Sequence, residues 1–498
     1  MSNIRSIPLA IILSAGTVTV SIAQDYTDAL RYSYLSTTGT ARSMGIGGAL
    51  GSIGGDFSSL SVNPAGIAIY KSSDFMFTPS LKLNSVTGDY ISNSTNNNNT
   101  RFNFNNIGAV FTTAMKGRRA ERSKWKSFSF GIGMNRVADF NRDYSYSGSN
   151  YSSSATQAYA AYGYHTTPAN LSTLSLAYLG YSSYLTNYDS VNVVYTSIVD
   201  PSKGIRQFQS VSERGGINEV LFSFGANYLD QLLLGLTVGV PILNYTRDAI
   251  YSETSLSSGT DFNSYTLSDH LSAHGSGINA KLGLIYKPTD FVRFGVAIHT
   301  PTYYSMHEDY TATINSNINS VSPSINQPVT VDNTPGYDYN LTTPWRAILS
   351  ATGFLGTHGF ITADYEYVDY TSANFSFNSG DAAAQGVSNA QIKSILQSAS
   401  NFRVGLEGRV TNFFALRVGY GYMGSPYKSS SGINTSSNTI SGGFGFRFDH
   451  WYLDAALAHI MYNSVEQPYP SDPSYPAPPV ATLKNSLNNA SVTVGFRF

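Results

Sequence analysis

The 498-residue chain contains no cysteine, so disulfides, thiolate catalysis and cysteine-held metals are all excluded. Charge is scarce as well: Asp, Glu, Lys and Arg make up 12% of the residues, against about 25% in an ordinary soluble protein, which implies that much of the surface does not face water. The formal net charge is -1 and no basic cluster stands out, so the phosphate contacts a nucleic acid requires are missing. Past the first two dozen residues no run of about 18 apolar residues occurs, which removes the spanning helix. His270, His274, His299, His307 and His459 fall near expected loops, with no Ser or Asp at a spacing that marks a catalytic dyad. The chain therefore reads as no enzyme, with no catalytic residue, no metal ligand set and no cofactor.

Aromatic residues and glycine are abundant, with 36 Tyr, 27 Phe and 44 Gly. The segment Ser491-Val492-Thr493-Val494-Gly495-Phe496-Arg497-Phe498 places an apolar residue at every second position. Strict alternation of this kind suits a strand with one face on lipid and the other on a polar interior. A membrane chain without spanning helices must close its strands into a barrel, because unpaired backbone groups are not tolerated in hydrocarbon. The expected fold class is an all-β transmembrane barrel, and Tyr-rich girdles would account for the aromatic excess.

Period-2 segments fall near residues 74–83, 103–115, 125–137, 218–228, 232–243, 277–287, 291–300, 343–353, 359–370, 401–410, 413–423, 438–448, 451–462 and 486–498. Counted so, the barrel has about fourteen antiparallel strands. Tight connections such as Leu229-Asp230-Gln231 and Asp449-His450 alternate with long Ser, Asn and Gly-rich stretches, which are expected to be the outer loops. In 218–228, Phe222 and Phe224 share one face, while Ser223 and Gly225 share the other. Arg293, Arg403, Glu407, Arg409, Arg417, Arg447 and Arg497 all stand on the non-aromatic face. An Arg aimed at the bilayer midplane costs roughly 2–4 kcal/mol, so these residues are expected to point inward. Most of them suit a bracing network in the lumen; Arg293, Arg403 and Arg417 are the candidates for receiving a substrate carboxylate.

Residues 1–23 have the form of a signal peptide, with Arg5, an apolar run from Ile7 to Val20 and small residues at Ser21-Ile22-Ala23. Residues 24–73 do not look like wall, and 74–498 are the expected barrel. The glycines of Ser43 to Gly55 lack the flanking strand and the spacing of a nucleotide loop, and suit a compact plug instead. Pro64 biases Asn63 towards extended backbone, which makes Asn63-Pro64-Ala65-Gly66 a candidate rigid turn.

Thr40-Ala41-Arg42-Ser43-Met44-Gly45, Gly54-Gly55-Asp56 and Asn63-Pro64-Ala65-Gly66-Ile67-Ala68 resemble the N-terminal hatch of the FadL/TodX outer membrane transport family. Thr343-Pro344-Trp345-Arg346, Ala363-Asp364-Tyr365-Glu366-Tyr367 and Phe402-Arg403-Val404-Gly405-Leu406-Glu407 are similar to that family's late-barrel pattern. The resemblance implies a monomeric fourteen-stranded barrel in the outer membrane of a Gram-negative bacterium, surrounded by outer membrane lipid and plugged by a hatch. It implies passive uptake of long-chain fatty acids or other hydrophobic small molecules, with Asp56, Asn63, Pro64, Ala65 and Gly66 as hatch residues concerned in ligand binding or gating. It further implies lateral release at a kink in the third strand, where Gly131 and Gly133 are the candidate residues. Apolar material for ligand capture is expected in the loop 140–216, and in a helix opened by a Ser388–Gln391 capping box within 371–400. The competing reading is a surface-exposed structural or adhesive barrel, suggested by the Tyr, Ser and Asn-rich loops.

Overall fold

The computed structural model describes residues 25–36, 38–115, 122–322, 326–378 and 382–498. The expected leader lies outside these residues. The leading segment contains helices α1 (Tyr26–Ser33), α2 (Ala41–Gly45) and α3 (Ser59–Val62), followed by a 3-10 turn at Pro64–Ile69.

The wall follows in chain order. It opens with β1 (Asp74–Tyr90), β2 (Asn93–Ala114), β3 (Trp125–Asp139) and β4 (Arg142–Asn150). Two short strands of the outer region, β5 (Thr186–Asp189) and β6 (Val194–Ser197), form a separate sheet. Then come β7 (Ile205–Tyr228), β8 (Leu232–Ser255), β9 (Phe262–Tyr286), β10 (Val292–His299), β11 (Tyr303–Ile318), β12 (Val329–Asp332), β13 (Tyr337–Thr342) and β14 (Arg346–Phe354). The last are β15 (Gly359–Asp369), β16 (Asn374–Phe377), β17 (Ser398–Arg409), β18 (Phe414–Met423), β19 (Ser437–Arg447), β20 (Trp451–Glu466) and β21 (Ala481–Arg497).

Broken strands reconcile this series with fourteen wall positions. β10 and β11 both pair with β9, and across from them β14 pairs with β10 while β13 and the short β12 pair with β11. Each group thus fills one position, interrupted at Pro301 or Pro344, residues that cannot donate to a ladder. β15 and β16 share a position in the same way, as do β3 and β4, which both pair with β7. β21 pairs antiparallel with β1 from Thr482↔Asp89 to Arg497↔Asp74, so the sheet closes on itself with no free edge. Outside, Phe224, Leu282, Leu349, Val418 and Leu457 are all more than half exposed, on strands spread round the circle. A continuous apolar belt of this extent is a lipid-facing surface.

Strand lengths depart from the sequence expectation. β7, β8 and β9 run 24, 24 and 25 residues, about twice the expected segments, and β11 and β13 lie where loop was expected. Residues 84–102, expected as loop, continue β1 and β2 into a hairpin closed by Ile91 and Ser92, both at positive φ as a two-residue turn demands. These extensions carry polar side chains on the outer face, so the apolar alternation that marks the belt stops while backbone pairing goes on.

Helices α4 (Ala155–Tyr162) and α5 (Leu176–Ser182) fill the loop after β4, and α4 opens with a complete Ser154–Gln157 capping box. Helix α6 (Ala382–Ile395) corrects the expected start at Ser388: that residue is buried inside the helix, which begins earlier on the strong helix formers Ala382-Ala383-Ala384-Gln385.

Candidate functional site

The leading segment packs on inward faces all round the barrel, and wall glycines are its sockets. A Cβ on Gly235 would lie 2.1 Å from the Pro64 carbonyl carbon, one on Gly283 2.0 Å from Asn63 Oδ1, and one on Gly295 2.3 Å from the Gly51 carbonyl oxygen. On the far side Gly405 and Gly419 face Ile46, and Gly108 faces Phe57. Gly131 and Gly133 belong to this set: they stand in regular register opposite Val110 and Gly108, and their faces meet Leu60, Ile67 and Phe57.

Asn63 joins turn and wall. Its Oδ1 accepts from Ala65 N at 3.1 Å, while Nδ2 donates to the carbonyls of Gly51 at 2.6 Å and Leu284 at 3.2 Å. Pro64 opens the 3-10 turn, and Gly55 N donates to the Gly66 carbonyl at 3.0 Å. Asp56 stays within the segment, accepting from Thr40 Oγ1 at 2.7 Å and Ser58 N at 2.9 Å.

Charged side chains bind this floor to the wall. Arg42 Nε reaches Glu407 at 3.1 Å; Glu407 also holds Arg417 at 2.7 Å, and Asp454 takes Arg417 at 2.7 Å and Arg447 at 2.8 Å. Glu366 pairs with Arg346 at 2.8 Å and with Arg403. Arg403 and Arg417 are thus held by the protein's own carboxylates. Arg293 donates to the Ile53 carbonyl at 2.8 Å and stacks 4.3 Å from the Phe354 ring centre.

An apolar cluster lies beyond the floor. Ile217, Leu243, Tyr304, Met306, Tyr339 and Phe375 join it from the wall, and Ile392 and Leu396 from the side of α6. Helix α1 packs into its centre with Ala29 and Tyr32. The Tyr32 hydroxyl is buried with no hydrogen-bond partner among the described residues. A second apolar cluster packs Tyr159 and Leu179 of the α4–α5 loop against Tyr251 and Tyr265, so this loop material is spent on the barrel itself.

Among the described residues the wall is unladdered where the third position bends. β2 pairs with β3 from Ala114↔Ser127 up to Asn106↔Asn135. Beyond that rung residues 93–105 pair only with β1, and β4 pairs only with β7. Side chains bridge the space instead: Asn97 Oδ1 accepts from Ser145 N and Oγ at 2.9 Å, and Asn99 Nδ2 reaches Asp143 at 2.5 Å. The leading segment supplies the missing backbone partner, since Ser36 N donates to the Val137 carbonyl at 2.9 Å and Thr38 Oγ1 donates to that of Arg136. The break therefore begins at Asn135 and Arg136, beyond Gly131 and Gly133. No sequence signal pointed to Ser36, Thr38 or Asn106, because none sits in a motif.

No family model matches the chain, and no curated protein does. Among solved structures, a FadL homologue from Pseudomonas aeruginosa superposes with a TM-score of 0.57 at 12% identity, covering 94% of this chain and 100% of that one. The P. putida toluene transporter TodX superposes with a TM-score of 0.54, also at 12% identity, over 93% and 99% of the two chains. At such identity the likeness is one of architecture, and it extends over almost the whole length of each chain. This protein has the fold of the FadL homologue and of TodX.

Proposed function

We propose that this protein is an outer membrane channel through which hydrophobic small molecules, long-chain fatty acids or other apolar compounds, pass by diffusion. One observation carries the reading. The leading segment packs α1 into the apolar cluster and, through Ser36 and Thr38, takes the place of β2 on the backbone of β3 at the wall gap, which supports its action as a hatch. A ligand entering the cluster competes with α1 for the same apolar side chains. Displacing α1 strains the Ser36 and Thr38 contacts, and the gap is then bridged by side chains such as Asn93, Asn97, Asn99 and Lys82 with their partners. That geometry supports lateral release into the outer membrane as the exit. The toluene-transporting namesake of the fold supports the substrate class.

Energetics favour a competitor over a permanent deep pocket. Burying about fifteen methylenes at about 0.8 kcal/mol each yields on the order of 12 kcal/mol, which is nanomolar affinity and slow release. A cluster already occupied by Tyr32 and Ala29 binds a ligand more weakly, because α1 must be moved out first.

The test is uptake of radiolabelled oleate and toluene by a Gram-negative host stripped of its own hydrophobic channels. Expression of this chain is expected to raise entry severalfold, and Tyr32→Ala, which loosens α1, to raise it further. Entry equal to that of the empty-vector host for both compounds overturns the proposal.

A further inference from the structure

We propose that Lys82, Arg101 and Arg136 form a receptor for the carboxylate head of an amphipathic molecule at the wall gap. This rests on the lateral route proposed above and adds a class of ligand to it. Lys82 and Arg101 stand directly opposite each other on β1 and β2. Their chain neighbours Leu81 and Phe102 are exposed on the lipid side, which sets the two cations on the inner face at membrane depth. Like charges opposite one another on one face of a sheet repel.

Only one carboxylate answers them. Asp139 takes Lys82 Nζ at 3.0 Å and Arg136 Nε at 2.8 Å, and its other oxygen accepts from Asn141 N and Nδ2, each at 3.1 Å. Arg101 has no hydrogen bond or ion pair among the described residues, and its Nε is buried. The next acid, Asp143, is already held by Arg214 and Asn99. Two of the three cations therefore share one anion and Arg101 has none, in a setting where an unpaired buried charge is costly.

Two further amides on β2, two and five residues along the strand from Arg101, also lack partners. Asn106, fully buried on the last rung of the β2–β3 ladder, has neither Nδ2 nor Oδ1 bonded, and Asn103 Nδ2 is buried without a partner. Fork-shaped guanidinium donors, an ammonium and free amide N–H groups match a planar carboxylate with two oxygens. A pure hydrocarbon uses none of them. A membrane lipid's phosphate would have to leave its leaflet and pass behind Leu81 and Phe102 to reach them. An acyl chain arriving from the cluster around α1 brings its head there while its tail enters the bilayer.

The experiment compares dodecanoate with dodecanol, which share a tail and differ in head charge. Full-length protein in phosphatidylcholine nanodiscs at pH 9 is equilibrated with each radiolabelled probe, and retention on empty nanodiscs is subtracted. Arg101→Gln is expected to weaken dodecanoate about tenfold more than dodecanol, and Arg101→Lys, which keeps the charge, to restore most of the difference. An unchanged ratio in Arg101→Gln, or an equal loss of both probes, overturns the carboxylate site. Equal affinity of the wild type for the two probes removes the head-group receptor and leaves the channel reading standing. Wild-type retention of neither probe overturns the channel reading and the receptor with it.

Discussion

Inward-facing arginines differ in what they hold, and their substitutions should separate accordingly. Arg417 is buried between Glu407 and Asp454, and taking away one member of such a group leaves charges uncompensated, at about 3–5 kcal/mol. Arg42 and Arg447 remain beside those carboxylates, so Arg417→Met is expected to cost about 3 kcal/mol. Arg293 gives one hydrogen bond to the Ile53 carbonyl, and Arg293→Met should cost only about 1–2 kcal/mol. Urea unfolding followed by the loss of the compact, heat-modifiable band on gels measures both; equal midpoints would show that Arg417 is not braced as its contacts indicate. That these residues point inward was legible in the alternation of the sequence. Which anion each one meets was not, because Arg42 and Glu407 lie on a helix and a strand hundreds of residues apart.

Elements tell the same story through glycine. Recurrent glycines on inward faces were visible in the sequence as a pattern without a cause, and packing supplies it: the wall has no room for a side chain where the hatch touches it. Gly235→Val and Gly283→Val would push against Pro64 and Asn63, which sit on the 3-10 turn that the neighbouring strands grip. The expected outcome is release of the hatch from an intact barrel, seen as cleavage within residues 25–73 by added protease about tenfold faster than in the wild type. The wall itself should stay resistant; a barrel digested along with the hatch would mean that the glycines serve strand pairing instead. Strand detection succeeded where one face meets lipid, as at Phe222 and Phe224, and failed along the outer halves of β7, β8 and β9 and across β11. There both faces are polar or mixed, and only the partner strand shows that the backbone is extended. Helix α6 starts before the Ser388 expected to open it, because the alanines ahead of that residue extend the helix.

At the scale of the whole molecule, the proposed route runs from the apolar cluster around α1 to the gap beside the third strand. The absence of cysteine makes the gap directly testable, because Asn97→Cys with Ser145→Cys would carry the chain's only thiols. Bridging them with a short dithiol crosslinker is expected to remove more than half of hydrophobic uptake, and a reductant-cleavable linker to restore it; full uptake in the bridged protein would place the exit elsewhere. The sequence by itself determined the barrel, its approximate strand number, which face of each strand meets lipid, and which segment is not wall. Those are local properties, because alternation and turn chemistry act between residues close in the chain. Only the tertiary structure decided that β2 parts from the third strand above Asn106, that Ser36 and Thr38 step into its place, and that Lys82 and Arg136 share a single carboxylate while Arg101 has none among the described residues. Those depend on register and closure, which bring together residues that no local pattern connects.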